Sequence, residues 1–190
     1  MILGSQLGKR FETATLDNYD TSECNENAKN VCASFIKNGG AGILLIGPVG
    51  VGKTHLLAAV ANALGGDKDG HFDGDIWVQP SSKRVQYWPM LDLAAELRND
   101  ALEGRIVTEC KMCDLLVIDD LGREKESDYL SQTFEQIIDY RYRMNAPVAV
   151  STNLTKREIT QRCGQHTMSR WLQCCSVVEM SGDDYRLKEA

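Results

Sequence analysis

The sequence predicts an α/β fold with a mostly parallel central sheet, and three observations support this prediction. Short apolar runs alternate with segments of helical spacing along most of the chain, which is typical of strand–helix–strand units. A glycine-rich loop, Gly47 to Thr54, stands between the first apolar run and a helix-forming segment. A later apolar run ends in two acids, Asp119 and Asp120.

Size and composition limit the class of protein. With 190 residues, 43% hydrophobic and 25% charged, the chain has the proportions of a globular protein with one well-buried core. No apolar run is long enough to cross a bilayer, so we expect a cytoplasmic protein without a membrane partner. The net charge of −6 argues against a generally basic nucleic-acid surface and leaves room for a local basic patch. The seven cysteines are expected to be reduced thiols.

The first half of the chain is predicted to be an arm followed by the start of the α/β domain. Residues 1–24 show no strong period, so we divide the chain into an N-terminal arm, 1–24, with a turn at Asp17-Asn18, and a domain, 25–190. The predicted elements are then a helix over 25–37 that Asn38-Gly39-Gly40 ends, a strand over 42–47, a helix over 53–64, a polar stretch over 65–82, and strands over 75–79 and 84–88, of which the first pairs with or precedes the second.

The second half continues the alternation of helices and strands. Pro89 suits the entry to a helix, and the unbroken apolar run before Asp119 suits a parallel strand that is covered on both faces. The predicted elements are a helix to about residue 101, a second short helix, a strand over 115–118, a helix over 127–143, a strand over 147–153, one or two helices over 155–172, and a strand over 176–180.

The glycine-rich loop fits the pattern G-x-x-x-x-G-K-[ST] at every fixed position. Its glycines let backbone N–H groups turn inward around a phosphate at the positive end of a helix. We therefore expect ATP or ADP here, with Lys53 on the β and γ phosphates and the Thr54 hydroxyl on Mg²⁺; the alternative is a plain glycine turn before a helix. The predicted nucleotide-binding residues are Gly47, Pro48, Val49, Gly50, Val51, Gly52, Lys53, Thr54 and His55.

Polar residues at the ends of two other strands complete the predicted site, because parallel strands end at a common edge of the sheet. We expect Asp119 to hold hydrated Mg²⁺ with Thr54, and Asp120 to orient and polarise an attacking water. The alternative for this pair is an acidic loop that follows any buried strand. Asn153 would lie near the γ phosphate; Thr152 is the competing residue, and a capping or turn role for Asn153 is the competing explanation.

Six pieces that occur in one order resemble a known family: residues 14–19, residues 47–56, Leu116-Val117-Ile118-Asp119-Asp120-Leu121-Gly122, residues 138–142, Ser151-Thr152-Asn153-Leu154, and Ser169-Arg170-Trp171. Together they look like the AAA+ ATPase core of DnaC/DnaI-type replicative helicase loaders and their IstB-type relatives. The resemblance implies a P-loop NTPase of the AAA+ type, a three-layer αβα sandwich with a mostly parallel five-stranded sheet. The chain departs from many AAA+ proteins in stopping soon after Asp184-Tyr185-Arg186, so we expect no C-terminal helical lid. Residues 25–190 would then be the AAA+ ATPase domain.

The resemblance also assigns roles. Lys53 and Thr54 match the Walker A pair, Asp119 and Asp120 the Walker B pair, and Asn153 the sensor. Arg170 matches the arginine finger, which completes the site of a neighbouring subunit, so an isolated monomer should hydrolyse ATP slowly. Without the resemblance, Arg170 reads as a surface arginine in a salt bridge.

The implied function is an ATPase of DNA replication that loads a replicative helicase, assembles through ATP at subunit interfaces and binds single-stranded DNA. An IstB-type transposition helper with a transposase partner is the alternative, and a non-hydrolysing nucleotide switch or a small-molecule phosphotransferase is the alternative of another class. Loaders of this type carry an amino-terminal helicase-binding domain, so we expect either a fragment or a different partner contact.

Several further residues carry weaker expectations. The arm from Leu16 to Tyr19 would lie against the adenine, Arg186 would act as a sensor or belong to a loose tail, and no function is predicted for 65–82. The candidates for contact with DNA are Lys83, Arg84, Tyr87, Trp88, Arg98, Arg105 and Lys111, with Arg141 and Arg143 at a subunit interface instead. Cys110, Cys113, Cys163 and His166 have zinc-like spacing, but buried reduced thiols are the favoured interpretation.

Overall fold

A five-stranded parallel sheet forms the centre of the computed structural model, which describes residues 7–65, 71–73, 76–78, 83–100 and 104–187. The strands are β1 (Gly42–Ile46), β2 (His71–Asp73), β3 (Ile76–Val78), β4 (Val85–Pro89), β5 (Leu115–Leu121), β6 (Val148–Thr152) and β7 (Ser176–Glu179). The helices are α1 (Glu26–Asn38), α2 (Lys53–Gly65), α3 (Met90–Asn99), α4 (Arg105–Met112), α5 (Asp128–Arg143), α6 (Lys156–Cys163) and α7 (Gln165–Cys174). Short 3₁₀ turns cover Lys9–Phe11 and Tyr185–Leu187.

The sheet has the strand order β4-β5-β6-β1-β7, and every pair in it is parallel. Successive residues of the central strands point to opposite faces, so Leu45 packs with α1 and α2 while Leu44 packs with α3 to α7. All five residues of β1 are buried, as expected for a strand with helices on both faces. The predicted α/β class, the three layers and the five-stranded parallel sheet are confirmed.

The strand predicted over 75–79 forms, but not in the main sheet. β3 pairs antiparallel with β2, with Phe72 opposite Trp77, and the two make a separate hairpin. The possibility that it pairs with the strand at 84–88 is therefore wrong. The two strands of the hairpin are nearly adjacent in sequence, so closing it costs little chain entropy. The rest of the predicted polar stretch, residues 66–70, 74–75 and 79–82, lies outside the described residues.

The described part of the arm packs against the domain. Leu7, Leu16 and Tyr19 are buried in the same apolar cluster as α1 and α2. The predicted turn is present: Thr15 N–H donates to Asn18 Oδ1 at 2.9 Å, and Asn18 N–H donates to Thr15 Oγ1 at 3.1 Å. The division into an arm and a domain remains a prediction.

Arg141 is fully buried, so its predicted place at a subunit interface is wrong. Its guanidinium donates to the carbonyl oxygens of Cys110 at 2.8 Å, Cys113 at 3.0 Å and Pro147 at 2.7 Å. These carbonyls end α4 and precede β5 and β6, so Arg141 ties the entries of two neighbouring strands to α5. Its neighbour Arg143 is exposed. None of the helices in the described ranges has the length and apolar composition needed to cross a bilayer.

Candidate nucleotide site

The glycine-rich loop joins β1 to α2 at the carboxyl edge of the sheet. Gly47 N–H donates to Thr152 O at 3.1 Å, which extends the β1–β6 ladder into the loop. Gly50 and Gly52 have φ angles of +85° and +91°, a region that side-chain-bearing residues rarely adopt. A Cβ atom at residue 52 would lie 2.7 Å from the ring of Tyr19. The loop therefore depends on glycine for its conformation and for its contact with the arm.

Lys53 is buried at the first turn of α2. Its Nζ donates to Gly47 O at 2.7 Å, to Pro48 O at 2.6 Å and to Asn153 Oδ1 at 2.7 Å. An ammonium group has three N–H donors, so these contacts use all of them. A phosphate entering the loop would have to replace one or more of these acceptors.

Asp119 lies at the end of β5 and faces the start of α2. Its Oδ1 accepts hydrogen bonds from Thr54 Oγ1 at 3.2 Å and from Ser151 Oγ at 2.5 Å, and its Oδ2 accepts one from Tyr87 Oη at 3.0 Å. Burial raises the pKa of the Asp119 carboxyl, and the hydrogen bonds from Ser151, Tyr87 and Thr54 lower it in part.

This group of atoms fits a magnesium ion. Carboxylate and hydroxyl oxygens are the ligands that Mg²⁺ uses in nucleotide sites, and the oxygens of Asp119 and Thr54 already lie together. A bound cation would also compensate for the burial of the carboxylate. Asp119 and Thr54 are therefore the residues that would hold Mg²⁺ beside the phosphates.

Asp120 lies in an irregularity of β5, where the register with β6 shifts between Ile118 and Leu121. Its φ is +58°, and its N–H donates to Ser151 Oγ at 2.9 Å. Its carboxylate lies 3.1 Å from Arg123 Nη1. Such a bulge redirects a side chain at the end of a strand, and here Asp120 lines the same cavity as the loop.

Asn153 follows β6 directly and reaches the Lys53 ammonium. Thr152 is buried instead, and its Oγ1 donates to Leu121 O at 2.7 Å. The geometry therefore brings Asn153 to the phosphate loop and gives Thr152 a contact between strands. Because β6 lies between β1 and β5, the ends of these three strands place Lys53, Asn153 and Asp119 side by side.

A cavity of about 510 Å³ opens above the loop, a size that is typical of small-ligand sites. The arm contributes Arg10 and Phe11 to its lining, whereas the Leu16 and Tyr19 side chains are buried in the core. The expectation that Leu16 to Tyr19 lie against the adenine is thus wrong for these two side chains. His55 also lines the cavity, and its Nε2 lies 2.9 Å from Asn18 Oδ1.

The last described turn of the chain also touches the loop. Tyr185 N–H donates to Gly50 O at 3.2 Å, and the Tyr185 residue lines the cavity. A Cβ atom at residue 50 would collide with the Asp184 side chain. The side chain of Arg186, for which a sensor role was expected, lies outside the described residues.

Arg170 lies at the other edge of the sheet from the phosphate loop. Together with Ala41 and Val148, which stand at the starts of β1 and β6, it lines a small cavity of about 40 Å³. Its Nη2 contacts Asp139 Oδ1 at 2.6 Å, and its guanidinium lies 5.6 Å from the centre of the Tyr142 ring. The structure therefore does not bring Arg170 to the phosphate loop of its own chain.

The aromatic part of the predicted DNA-contact patch is wrong. Tyr87 and Trp88 are 1% and 4% exposed, so neither can stack on a base. Of the basic members, Arg84 Nη2 donates to Met112 O at 2.7 Å and Arg105 pairs with Glu109 at 3.0 Å. Tyr87 has a different role, because it donates to Asp119.

The cysteines with zinc-like spacing are buried thiols. Burial raises the pKa of Cys110 and of Cys163 to about 12, so both thiols stay protonated near neutral pH. Among the residues that the structure describes, no group of three or more His, Cys, Asp or Glu side chains is arranged to bind a metal ion.

Sequence reasoning missed Ser151, Tyr87 and Arg123. Ser151 could have been noticed as a hydroxyl that ends an apolar strand next to the predicted sensor. Tyr87 carries no local signal, because its role depends on β4 pairing with β5. Arg123 lies three residues after Asp120 in the sequence, but only the turn at Gly122 brings the two residues into contact.

Comparison with known proteins agrees with this geometry. A family model described as IstB-like ATP binding protein matches residues 6–190. The chain is 30% identical over 153 residues to the phage-like element PBSX protein XkdC of Bacillus subtilis (strain 168), covering 76% of this chain and 52% of that protein. It is 28% identical over 152 residues to the replicative helicase loader DnaC of Escherichia coli (strain K12), covering 77% and 56%.

A third relative belongs to a mobile element. The chain is 26% identical over 157 residues to the insertion sequence IS232 putative ATP-binding protein of Bacillus thuringiensis subsp. berliner, covering 77% of this chain and 56% of that protein. The chain thus spans about half the length of the curated relatives it matches.

Solved structures show the same fold. The DnaC helicase loader superposes with a TM-score of 0.75 at 22% identity, covering 92% of this chain and 100% of that chain. AMPPCP-bound DnaA from Aquifex aeolicus superposes with a TM-score of 0.74 at 23% identity, covering 97% and 55%. Since the family match runs over nearly every residue, this chain belongs to the IstB-like ATP-binding protein family and has the DnaC/IstB-type AAA+ core.

Proposed function

We propose that this chain is an ATP-hydrolysing assembly factor of the helicase-loader type, which acts in DNA replication. One observation carries the proposal: Lys53, Asp119 and Asn153, from three parts of the chain, meet at the phosphate loop. Lys53 Nζ lies 2.7 Å from Asn153 Oδ1, and Thr54 Oγ1 lies 3.2 Å from Asp119 Oδ1. A glycine turn that served only to connect a strand to a helix would not require these three residues to lie together.

The residues of the site divide the work of phosphoryl transfer. The loop N–H groups and the start of α2 bind the phosphates of ATP, and Lys53 exchanges a carbonyl contact for a phosphate oxygen. Thr54 and Asp119 would hold Mg²⁺, which would neutralise charge on the phosphates. Asp120, directed into the cavity by the irregularity of β5, orients and polarises water, and Asn153 keeps Lys53 in position.

Arg170 completes the site of a neighbouring copy. Arg170 lies at the amino edge of β1, and the five residues of β1 span about 17 Å, so its guanidinium cannot reach the loop of its own chain. An arginine supplied by another subunit stabilises charge on the transferred phosphate only after assembly. Self-association through ATP therefore controls hydrolysis, and the isolated monomer turns over slowly.

A replicative helicase is the proposed partner, with single-stranded DNA held in the assembly. The support for this partner is the 28% identity to a replicative helicase loader over most of this chain. The second candidate is a transposition helper with a transposase partner, and the IS232 relative favours it. The buried positions of Tyr87 and Trp88 remove them from any DNA contact, so of the predicted patch only the basic side chains would contact DNA phosphates.

Three variants test the ATPase. Lys53→Ala should abolish ATP binding in equilibrium titration. Arg170→Ala should bind ATP like the parent protein but lose the increase in turnover that rises with protein concentration. Asp139→Asn, which removes the carboxylate charge that pairs with Arg170, should keep that increase or raise it. Parent-like turnover of a folded Arg170→Ala protein in the presence of DNA and partner would contradict the finger assignment.

The partner needs a separate experiment. The chain should retain a replicative helicase, and not a transposase, in a pull-down that depends on ATP, and Lys53→Ala should lose this retention. ATP-dependent retention of a transposase alone would instead establish the transposition helper. ATP binding without turnover, even with DNA and both partners present, would indicate a nucleotide switch.

A further inference from the structure

Arg123 lies on a turn whose backbone is fixed at the edge of the nucleotide cavity. Arg123 N–H donates to Asp120 O at 3.2 Å, which closes the turn. Gly122 N–H donates to Glu124 Oε2 at 2.9 Å. Leu154 packs so closely on this turn that a Cβ atom at residue 122 would lie 2.6 Å from it. The segments that follow β5 and β6 therefore hold the Arg123 backbone in place.

The Arg123 side chain is not fixed in the same way. It is 58% exposed and lines the cavity together with Lys53, Thr54 and Asn153. Its Nη1 lies 3.1 Å from Asp120 Oδ2, and the Asp120 side chain is 29% exposed. An ion pair as exposed as this one changes an equilibrium constant by about fivefold or less. A stronger partner in the cavity would therefore displace it.

We propose that Arg123 distinguishes a triphosphate from a diphosphate in this site, by exchanging the Asp120 carboxylate for the terminal phosphate of ATP bound to the same chain. This inference rests on the proposed function, since it assumes ATP at the loop. A guanidinium–phosphate contact is charge-assisted and often bidentate, and it strengthens binding by about tenfold or more. It therefore outweighs the exposed pair with Asp120.

The exchange links binding to the preparation of the site. While Arg123 pairs with Asp120, one carboxylate oxygen is occupied. Once the guanidinium moves to the terminal phosphate, that oxygen becomes available to accept a hydrogen bond from water. ADP has no terminal phosphate at that position, so the Arg123–Asp120 pair persists with ADP bound.

Equilibrium binding of AMPPCP and ADP to the full chain tests the proposal, each measured with Mg²⁺ by competition against a fluorescent ADP. Protein concentrations are kept where light scattering reports a monomer. Arg123→Gln should raise the Kd for AMPPCP about tenfold and leave the Kd for ADP within about twofold. Arg123→Lys should give an intermediate Kd for AMPPCP. Arg105→Gln is the matched control, because Arg105 is 63% exposed and pairs with Glu109 away from the cavity.

A double-mutant cycle tests the exchange itself. Asp120→Asn releases Arg123 and should tighten AMPPCP binding by up to about fivefold. That gain should disappear in the Asp120→Asn/Arg123→Gln protein. If the gain persists without Arg123, it arises from lost repulsion between the carboxylate and the phosphate, and the exchange is wrong.

The failure of this inference is distinct from the failure of the proposed function. If the parent protein binds neither nucleotide, both are wrong. If Lys53→Ala abolishes binding while Arg123→Gln changes both affinities equally or neither, only the role of Arg123 is overturned. An effect of Arg123→Gln that appears only in assembled protein would also overturn it, because the contact would then lie between subunits.

Discussion

Replacing Gly52 with alanine should destabilise the protein more than the same change at a glycine with a similar φ angle and open space around it. The φ of Gly52 is +91°, and a side chain at such a positive φ costs about 1–3 kcal/mol. The new Cβ would also lie 2.7 Å from both Cε2 and Oη of Tyr19, about 1 Å inside an ordinary carbon contact. Forcing such an overlap in a packed region costs about 1–3 kcal/mol more.

Gly164 provides the matched control. Its φ is +85°, and a Cβ atom there would meet no heavy atom within 4 Å. Its ψ is +153°, a conformation found almost only in glycine, so Gly164→Ala should show the backbone cost alone, about 1–3 kcal/mol. Gly52→Ala should lose a further 1–3 kcal/mol, roughly, in free energy of unfolding. For a chain of this length, each kcal/mol lowers the melting temperature by about 2–4 °C.

Urea unfolding of both variants measures the difference, and a Tyr19→Leu background identifies its source. If the Tyr19 ring causes the overlap, Gly52→Ala should cost less in the Tyr19→Leu protein than in the parent, with a coupling free energy of about 1 kcal/mol or more. Equal losses for Gly52→Ala and Gly164→Ala would refute the conclusion that the arm presses on the phosphate loop. ATP affinity should fall in Gly52→Ala and not in Gly164→Ala, because only the first change moves loop N–H groups.

Two further predictions concern single buried side chains. Ser151→Ala removes the 2.5 Å hydrogen bond to Asp119, so the pKa of Asp119, already raised by burial, should rise further. Because Mg²⁺ binds the ionised carboxylate, Mg²⁺-dependent ATP affinity should fall at a higher pH than in the parent when the pH is lowered from about 8 to about 5. An unchanged pH profile would contradict this. Arg141→Met removes the guanidinium that donates to the carbonyl oxygens of Cys110, Cys113 and Pro147 and should cost about 3 kcal/mol or more in urea unfolding. Arg143→Met, at an exposed position, should stay within about 0.5 kcal/mol, and similar losses for the two would show that Arg141 is not a structural anchor.

The fold and the central part of the site could be predicted because both depend on local patterns. The loop motif fixes a strand, a turn and a helix in sequence, and the helix predicted over 53–64 is Lys53–Gly65 in the structure. Parallel strands end at one edge of the sheet. The expectation that the motif residue Lys53 and the acid Asp119 lie close together therefore does not depend on the order of the strands. The hydrogen bonds of Thr54 and Asn153 show this meeting directly.

Burial of polar and aromatic side chains could not be predicted in the same way. All of β4 except Pro89 is buried, and a strand covered on both faces shows no alternation that would separate inner from outer residues. Tyr87 and Trp88 therefore looked like an exposed aromatic pair beside basic residues. Arg141 gave a similar false signal, because only the tertiary arrangement of α4, α5 and β6 supplies its carbonyl acceptors.

Before nucleotide binds, the cationic side chains of the proposed mechanism all contact groups of their own chain. This explains why both a bound nucleotide and a neighbouring subunit would be needed for hydrolysis. Lys53 binds loop carbonyls, Arg123 pairs with Asp120, and Arg170 pairs with Asp139. The Arg123–Asp120 pair is the more exposed of the two arginine pairs and contributes about 1 kcal/mol or less, while a charge-assisted contact to phosphate contributes about 1.5–3 kcal/mol. That exchange is therefore favourable only when a phosphate is within reach, and we expect the same condition for Lys53 and Arg170. For Lys53 and Arg123 the bound ATP satisfies that condition, and for Arg170 only the ATP of an adjacent copy does.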